Sequence, residues 1–72
     1  MDYPTWLSAL REWAEYQQSL QGACIEMAAR VAQYDVQVSP FTLRYHVNGR
    51  YHDVGLSLAY AVWKEIEKDS LR

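Results

Sequence analysis

Between Trp6 and Tyr34 the chain carries its most constraining pattern. Trp6, Leu10, Trp13, Gln17, Leu20, Cys24, Met27, Val31 and Tyr34 are spaced alternately by four and three residues. On an α-helix this alternation lays all nine along one stripe, and only Gln17 interrupts its apolar character. Leu7, Ala14, Ala23 and Ala28 widen the stripe, whereas Arg11, Glu12, Glu15, Gln18, Glu26 and Arg30 fall off it. Asp2-Tyr3-Pro4-Thr5 supplies a helix start, because Pro suits the first turn and Asp or Thr can accept from free backbone N–H groups. Gly22 lies inside the run and costs about 1 kcal/mol relative to Ala in a helix. The stripe nevertheless keeps its phase across Gly22, so one helix over about residues 4–33 is expected, about 45 Å long. A break at Gly22, folding the N-terminal half back onto the core, is the alternative.

After Tyr34 the period changes to two. Val36 and Val38 alternate with Asp35, Gln37 and Ser39, which reads as a short strand ended by Pro40. Phe41, Leu43, Tyr45 and Val47 alternate with Thr42, Arg44 and His46. Asn48-Gly49 follows, and both residues tolerate positive φ, so a two-residue hairpin turn is expected, with the chain returning over Arg50 to Val54. A second helix is expected from Leu56 through Leu71. Its apolar face would be Ala59, Val62, Trp63 and Ile66, and its wet face Lys64, Glu65, Glu67, Lys68 and Asp69. The expected fold class is α+β: a long N-terminal helix, a short strand plus β-hairpin forming an antiparallel sheet, and a C-terminal helix. With 72 residues it forms one domain, residues 1–72.

The hairpin register bears on a repeat. Arg-Tyr-His occurs at residues 44–46, and Arg50-Tyr51-His52 repeats it. A two-residue turn opposes His46 to Tyr51, Tyr45 to His52, Arg44 to Asp53 and Leu43 to Val54, and directly opposed residues share a sheet face. The two histidines then point to opposite faces and cannot hold one metal ion. His52 is expected to lean toward the core beside Tyr45. His46 is expected outward, on a wet face with Thr42, Arg44, Tyr51 and Asp53.

No ligand pair has zinc spacing, so no metal is expected. Cys24 is the only cysteine, lies on the apolar stripe, and is expected to pack rather than react. Three scattered glycines cannot build a phosphate loop, and the carboxylates look like solvated helix faces. No enzyme activity and no cofactor are therefore expected. Nine carboxylates against seven Lys and Arg speak against a general phosphate-backbone binder. The opening MDYPTWLSAL has no basic region before an apolar run, and no run approaches a membrane span. With a single unpaired thiol, this places the chain in the cytoplasm as an expectation.

Ten aromatic residues are more than so small a core hides with ease. Tyr, Trp and Arg are common interface anchors, so Tyr16, Arg44, His46, Arg50, Tyr51 and Asp53 are the expected partner-binding residues. A 45 Å stripe also outruns what one hairpin and one helix of about 15 residues can cover. Trp6, Leu10, Trp13, Gln17 and Leu20 are therefore expected to form a homodimer interface, with Gln17 as a polar register mark, the alternative being a binding site for a different protein.

The order helix, hairpin, helix with the turn in YHVNGRYHDV resembles the small phage head–tail joining proteins. The order helix, three strands, helix is similar to that of double-stranded RNA-binding domains. No functional residue is carried over from either. In its small, acidic, aromatic-rich character the chain also resembles phage or mobile-element inhibitors, including anti-CRISPR proteins. The function expected is that of a small non-enzymatic protein-binding module, an inhibitor of a host protein, acting as a homodimer. The alternatives are a small nucleic-acid-binding protein and a phage structural assembly subunit.

Overall fold

The structure is a computed structural model, described here over residues 2–70. It contains four α-helices: α1 (Tyr3–Glu15), α2 (Leu20–Val31), α3 (Pro40–Val47) and α4 (Leu56–Ser70). A single 3-10 turn, Ala32–Tyr34, follows α2. No strand occurs among the described residues, so the α+β expectation is overturned in favour of an all-helical fold. The described chain fits within 29 × 23 × 21 Å, too short in any direction for a 45 Å helix.

The long helix is interrupted at residues 16–19, ahead of Gly22. The last turn of α1 tightens, with the Tyr16 and Gln17 N–H groups donating to the Trp13 and Ala14 carbonyls. Ser19 then takes an extended backbone and caps α2, its Oγ accepting from the Gly22 N–H at 2.9 Å. A Cβ at position 22 would meet that Oγ at 3.0 Å, so glycine here makes room for the cap rather than ending a helix. The stripe itself is real. Trp6, Leu10, Trp13, Cys24, Met27 and Val31 are all buried, but on two helices that face a common core. Continuous phase only requires that both helices aim their apolar faces inward.

The expected strand at Val36–Val38 is irregular linker without a ladder partner, its valines packed against the core. The expected hairpin is α3 and its exit. Ser39 caps this helix by accepting from the Phe41 N–H at 3.0 Å, and Pro40 occupies its first turn, where a missing N–H costs nothing. Asn48-Gly49 ends it. Gly49 has φ +83°, its N–H donates to the His46 carbonyl at 3.0 Å, and the Arg50 N–H donates to the Tyr45 carbonyl at 2.9 Å. These two bonds are the Schellman closure of a helix C-terminus. Positive φ at Gly49, with Asn48 still helical at φ −80°, therefore serves a helix stop, and every cross-strand pairing drawn from a hairpin falls with it.

The second helix runs from Leu56 as expected; Leu71 lies outside the described residues. Ala61 and Val62 are fully buried, with Ala59, Trp63 and Ile66 packed beside them. The Trp6 indole N–H donates to the Ala59 carbonyl at 3.2 Å, and the Trp13 indole N–H to Asp69 at 2.7 Å. Later residues of α1 thus meet later residues of α4, so the two helices run parallel and their C-termini converge. Leu10, Trp13, Ala14, Ala23, Cys24, Met27, Leu43 and Val47 close the space between α1, α2 and α3 without room for a water molecule.

Candidate functional site

The residues expected to bind a partner divide among three environments. Arg44, Arg50, Tyr51 and Asp53 are exposed around α3 and its exit. Tyr16, which is 82% exposed, stands at the end of α1 beside α4 instead. His46 is buried, with 4% of its surface accessible, contrary to its expected outward position. A helical period carries His46 to the inner side with Leu43, and His52 is the exposed histidine.

His46 is enclosed by aromatic rings. The Tyr3 hydroxyl and His46 Nδ1 share a hydrogen bond of 2.8 Å. Trp6 meets the imidazole edge-on at 5.3 Å between centroids, and Tyr51 covers it at 4.5 Å. Burial pushes the imidazole pKa down, and the Asp53 charge offsets part of this. His46 therefore anchors the end of α3 as a neutral ring.

Around this anchor lies an exposed surface. Phe41 (66% exposed) and Tyr45 (36%) stand one turn apart on the outer side of α3. The Arg50 guanidinium lies 4.7 Å over the Tyr45 ring, and Tyr45 is 6.5 Å from Tyr51. Arg11 reaches across from α1 and donates twice to the Val47 carbonyl, at 3.0 and 2.7 Å, placing a cation at the negative end of α3. Arg44 lies in the last turn of the same helix. None of Arg11, Arg44 and Arg50 forms a salt bridge to a described residue. Sequence reasoning missed Phe41 and Tyr45, because period two assigned them to the packed face. Ser39-Pro40, the usual opening of a helix, was the signal that could have placed them.

The residues assigned to a dimer contact lie elsewhere. Trp6, Leu10 and Trp13 retain 1, 3 and 6% of their surface, and Gln17 and Leu20 are half-buried. The apolar stripe that called for a second copy is covered by the chain's own α3 and α4, which removes the premise of that expectation.

Of the expected wet face of α4, Lys64, Glu67 and Lys68 are exposed, whereas Glu65 is buried and Asp69 half-buried. Glu65 is buried, accepting from the Tyr34 hydroxyl at 2.6 Å and from Lys68 Nζ at 2.8 Å. Burial raises its carboxyl pKa, but the Lys68 and Tyr34 hydrogen bonds and the Lys68 and Arg30 charges outweigh this and hold it below the usual range. Arg30 donates to both oxygens of Asp69 at 3.0 Å and lies 5.6 Å over the Trp13 ring. This network ties α2 and the 3-10 turn to α4.

Among the described residues no group of three His, Cys, Asp or Glu side chains converges to hold a metal ion. Cys24 is buried, and burial pushes its thiol up, with only partial relief from Arg44, so it is a poor nucleophile. No helix among the described residues is long and apolar enough to cross a membrane. No family model matches the chain, and comparison with curated proteins and with solved structures finds no match.

Proposed function

We propose that this chain acts by binding another protein, without chemistry of its own, through the outer side of α3 and the segment that follows it. One observation carries the reading. Three exposed rings, Phe41, Tyr45 and Tyr51, are interleaved with three arginines that form no ion pair to a described residue, on a chain whose net charge is −2. Aromatic residues and arginine are enriched where binding energy concentrates, and guanidinium charges with no carboxylate partner among the described residues favour an acidic partner surface. The neutral His46 anchor fixes the end of α3, and the contacts of Arg50 with Tyr45 and of Arg11 with the Val47 carbonyl hold those side chains in place, which lowers what they lose on binding. Blocking the partner's working surface is the simplest use of such a face.

A second reading, single-stranded nucleic acid, draws on the same surface, since arginine beside tyrosine also stacks on bases. The test is comparative capture from a host extract by the wild-type chain and by Phe41→Ala/Arg44→Ala, with circular dichroism to check the fold. The reading expects a protein held by the wild type and lost with the variant. Equal capture by both would remove this surface from consideration. A steep salt dependence of binding to random RNA or DNA would favour nucleic acid instead.

A further inference from the structure

The parallel pairing of α1 and α4 leaves a second surface. A groove of about 710 Å³ runs between their C-terminal ends. Trp13, Tyr16 and Trp63 supply aromatic walls, and Glu12 and Glu67 supply carboxylates. Among the described residues no Lys or Arg lines it. Glu12 and Glu67 form no salt bridge to a described residue, whereas Asp69 is held by Arg30 and the Trp13 indole.

The backbone adds negative potential of its own. Each helix presents a partial negative charge at its C-terminus, and cations are the usual complement there. Here two such ends converge. The last turn of α1 has no basic residue. Among the described residues the last turn of α4 has only Lys68, which is drawn away to Glu65 and the Tyr34 ring. Converging helix ends, the Glu12 and Glu67 carboxylates without an ion pair to a described residue, and the Tyr16 and Trp63 rings all favour positive charge, and the rings favour a cation carried on an apolar stem.

We propose that this groove docks a basic segment of a partner protein, with a lysine or arginine side chain between Glu12 and Glu67 and apolar residues against Trp63 and Ile66. The groove is partly open to solvent, so it suits a peptide segment laid across its mouth better than a small molecule enclosed on all sides. This is a different surface from the α3 face and carries the opposite charge.

The experiment uses the ¹⁵N-labelled chain and an acetylated, amidated decapeptide of alternating leucine and lysine. The indole N–H signals of Trp13 and Trp63 are expected to move on titration while that of Trp6, bonded to Ala59 on the far stretch of α1, stays in place. Glu12→Gln/Glu67→Gln is expected to weaken binding about fivefold to tenfold, and a glutamate counterpart of the peptide to leave all three signals unmoved. Unchanged affinity in the double variant overturns the proposal, as does a shift of all three indoles together. Binding of n-butylammonium as tight as that of the peptide overturns it in favour of a small-molecule pocket. Phe41→Ala/Arg44→Ala is expected to leave this titration unaltered, so failure of one surface is distinguishable from failure of the other.

Discussion

The Tyr34 hydroxyl and the Glu65 carboxylate, 31 residues apart, meet at 2.6 Å in a setting where Glu65 retains 4% of its surface. This contact fixes the 3-10 turn against α4. Tyr34→Phe removes one of the donors that keep a buried carboxylate charged, and a loss of about 1–3 kcal/mol is expected. Acid should act at the same place. The Glu65 pKa is held below its ordinary value of 4.5, so its stabilisation is complete above about that pH and is lost as pH falls through the folded-state value. Urea denaturation at about pH 6 and about pH 3 checks this. The difference should be smaller in Glu65→Gln than in the wild type.

His46 gives a second pH dependence, nearer neutrality. Its folded-state pKa lies below the ordinary 6.5, so between those two values the unfolded chain binds more protons than the folded one. Stability is therefore full above about pH 6.5 and declines below it. Replacing the ring by His46→Phe should flatten the change in urea midpoint between about pH 7.5 and about pH 5.5, whatever it does to stability at neutral pH.

Gly49 tests the helix stop. Its φ of +83° is one that other residues adopt at a cost of about 1–2 kcal/mol. A Cβ there would lie 3.8 Å from the Arg11 guanidinium, an ordinary contact, so Gly49→Ala should suffer strain and no clash. Thermal unfolding should show the loss with helical content unchanged. Unaltered stability would mean that the Schellman closure does not hold the end of α3.

Trp6 tests where the apolar stripe is covered. Its ring retains 1% of its surface, stacks on Tyr3 at 5.7 Å and bonds to α4. Trp6→Ala is expected to cost about 3–5 kcal/mol, a large part of what a small domain has. Circular dichroism should report unfolding or a much lower melting temperature. A variant that merely changed its association state, with the fold intact, would put Trp6 at an interface between copies instead.

The inward residues of α1, α2 and α4 were legible in the sequence because a 3.6 period survives whether or not the helix is continuous. The break was not, because Tyr16-Gln17-Gln18-Ser19 contains neither Gly nor Pro, and Ser19 as a cap is a weaker signal than the nearby Gly22. The middle of the chain misled for a physical reason. Phe41, Leu43, Tyr45 and Val47 alternate, and Asn-Gly is as good a helix stop as a hairpin turn. The Ser-Pro start at residue 39 decides between them, since it satisfies a helix and interrupts a sheet. Of the expected binding surface, Arg44, Arg50 and Tyr51 were legible as residue types. Their true neighbours Phe41 and Tyr45 were not, because neighbourhood depends on the period. Glu65 was read as wet because a carboxylate on an amphipathic helix usually is, and only tertiary contact with Tyr34 and Arg30 reveals its burial.

The parallel course of α1 and α4 also sets how the molecule bears a load. The first helix begins at one pole and the last helix ends at the other. A force applied to the two ends therefore acts along the seam between them, in shear. The contacts of Trp6 and Trp13 with α4 would resist together, instead of opening one after another as a zipper does.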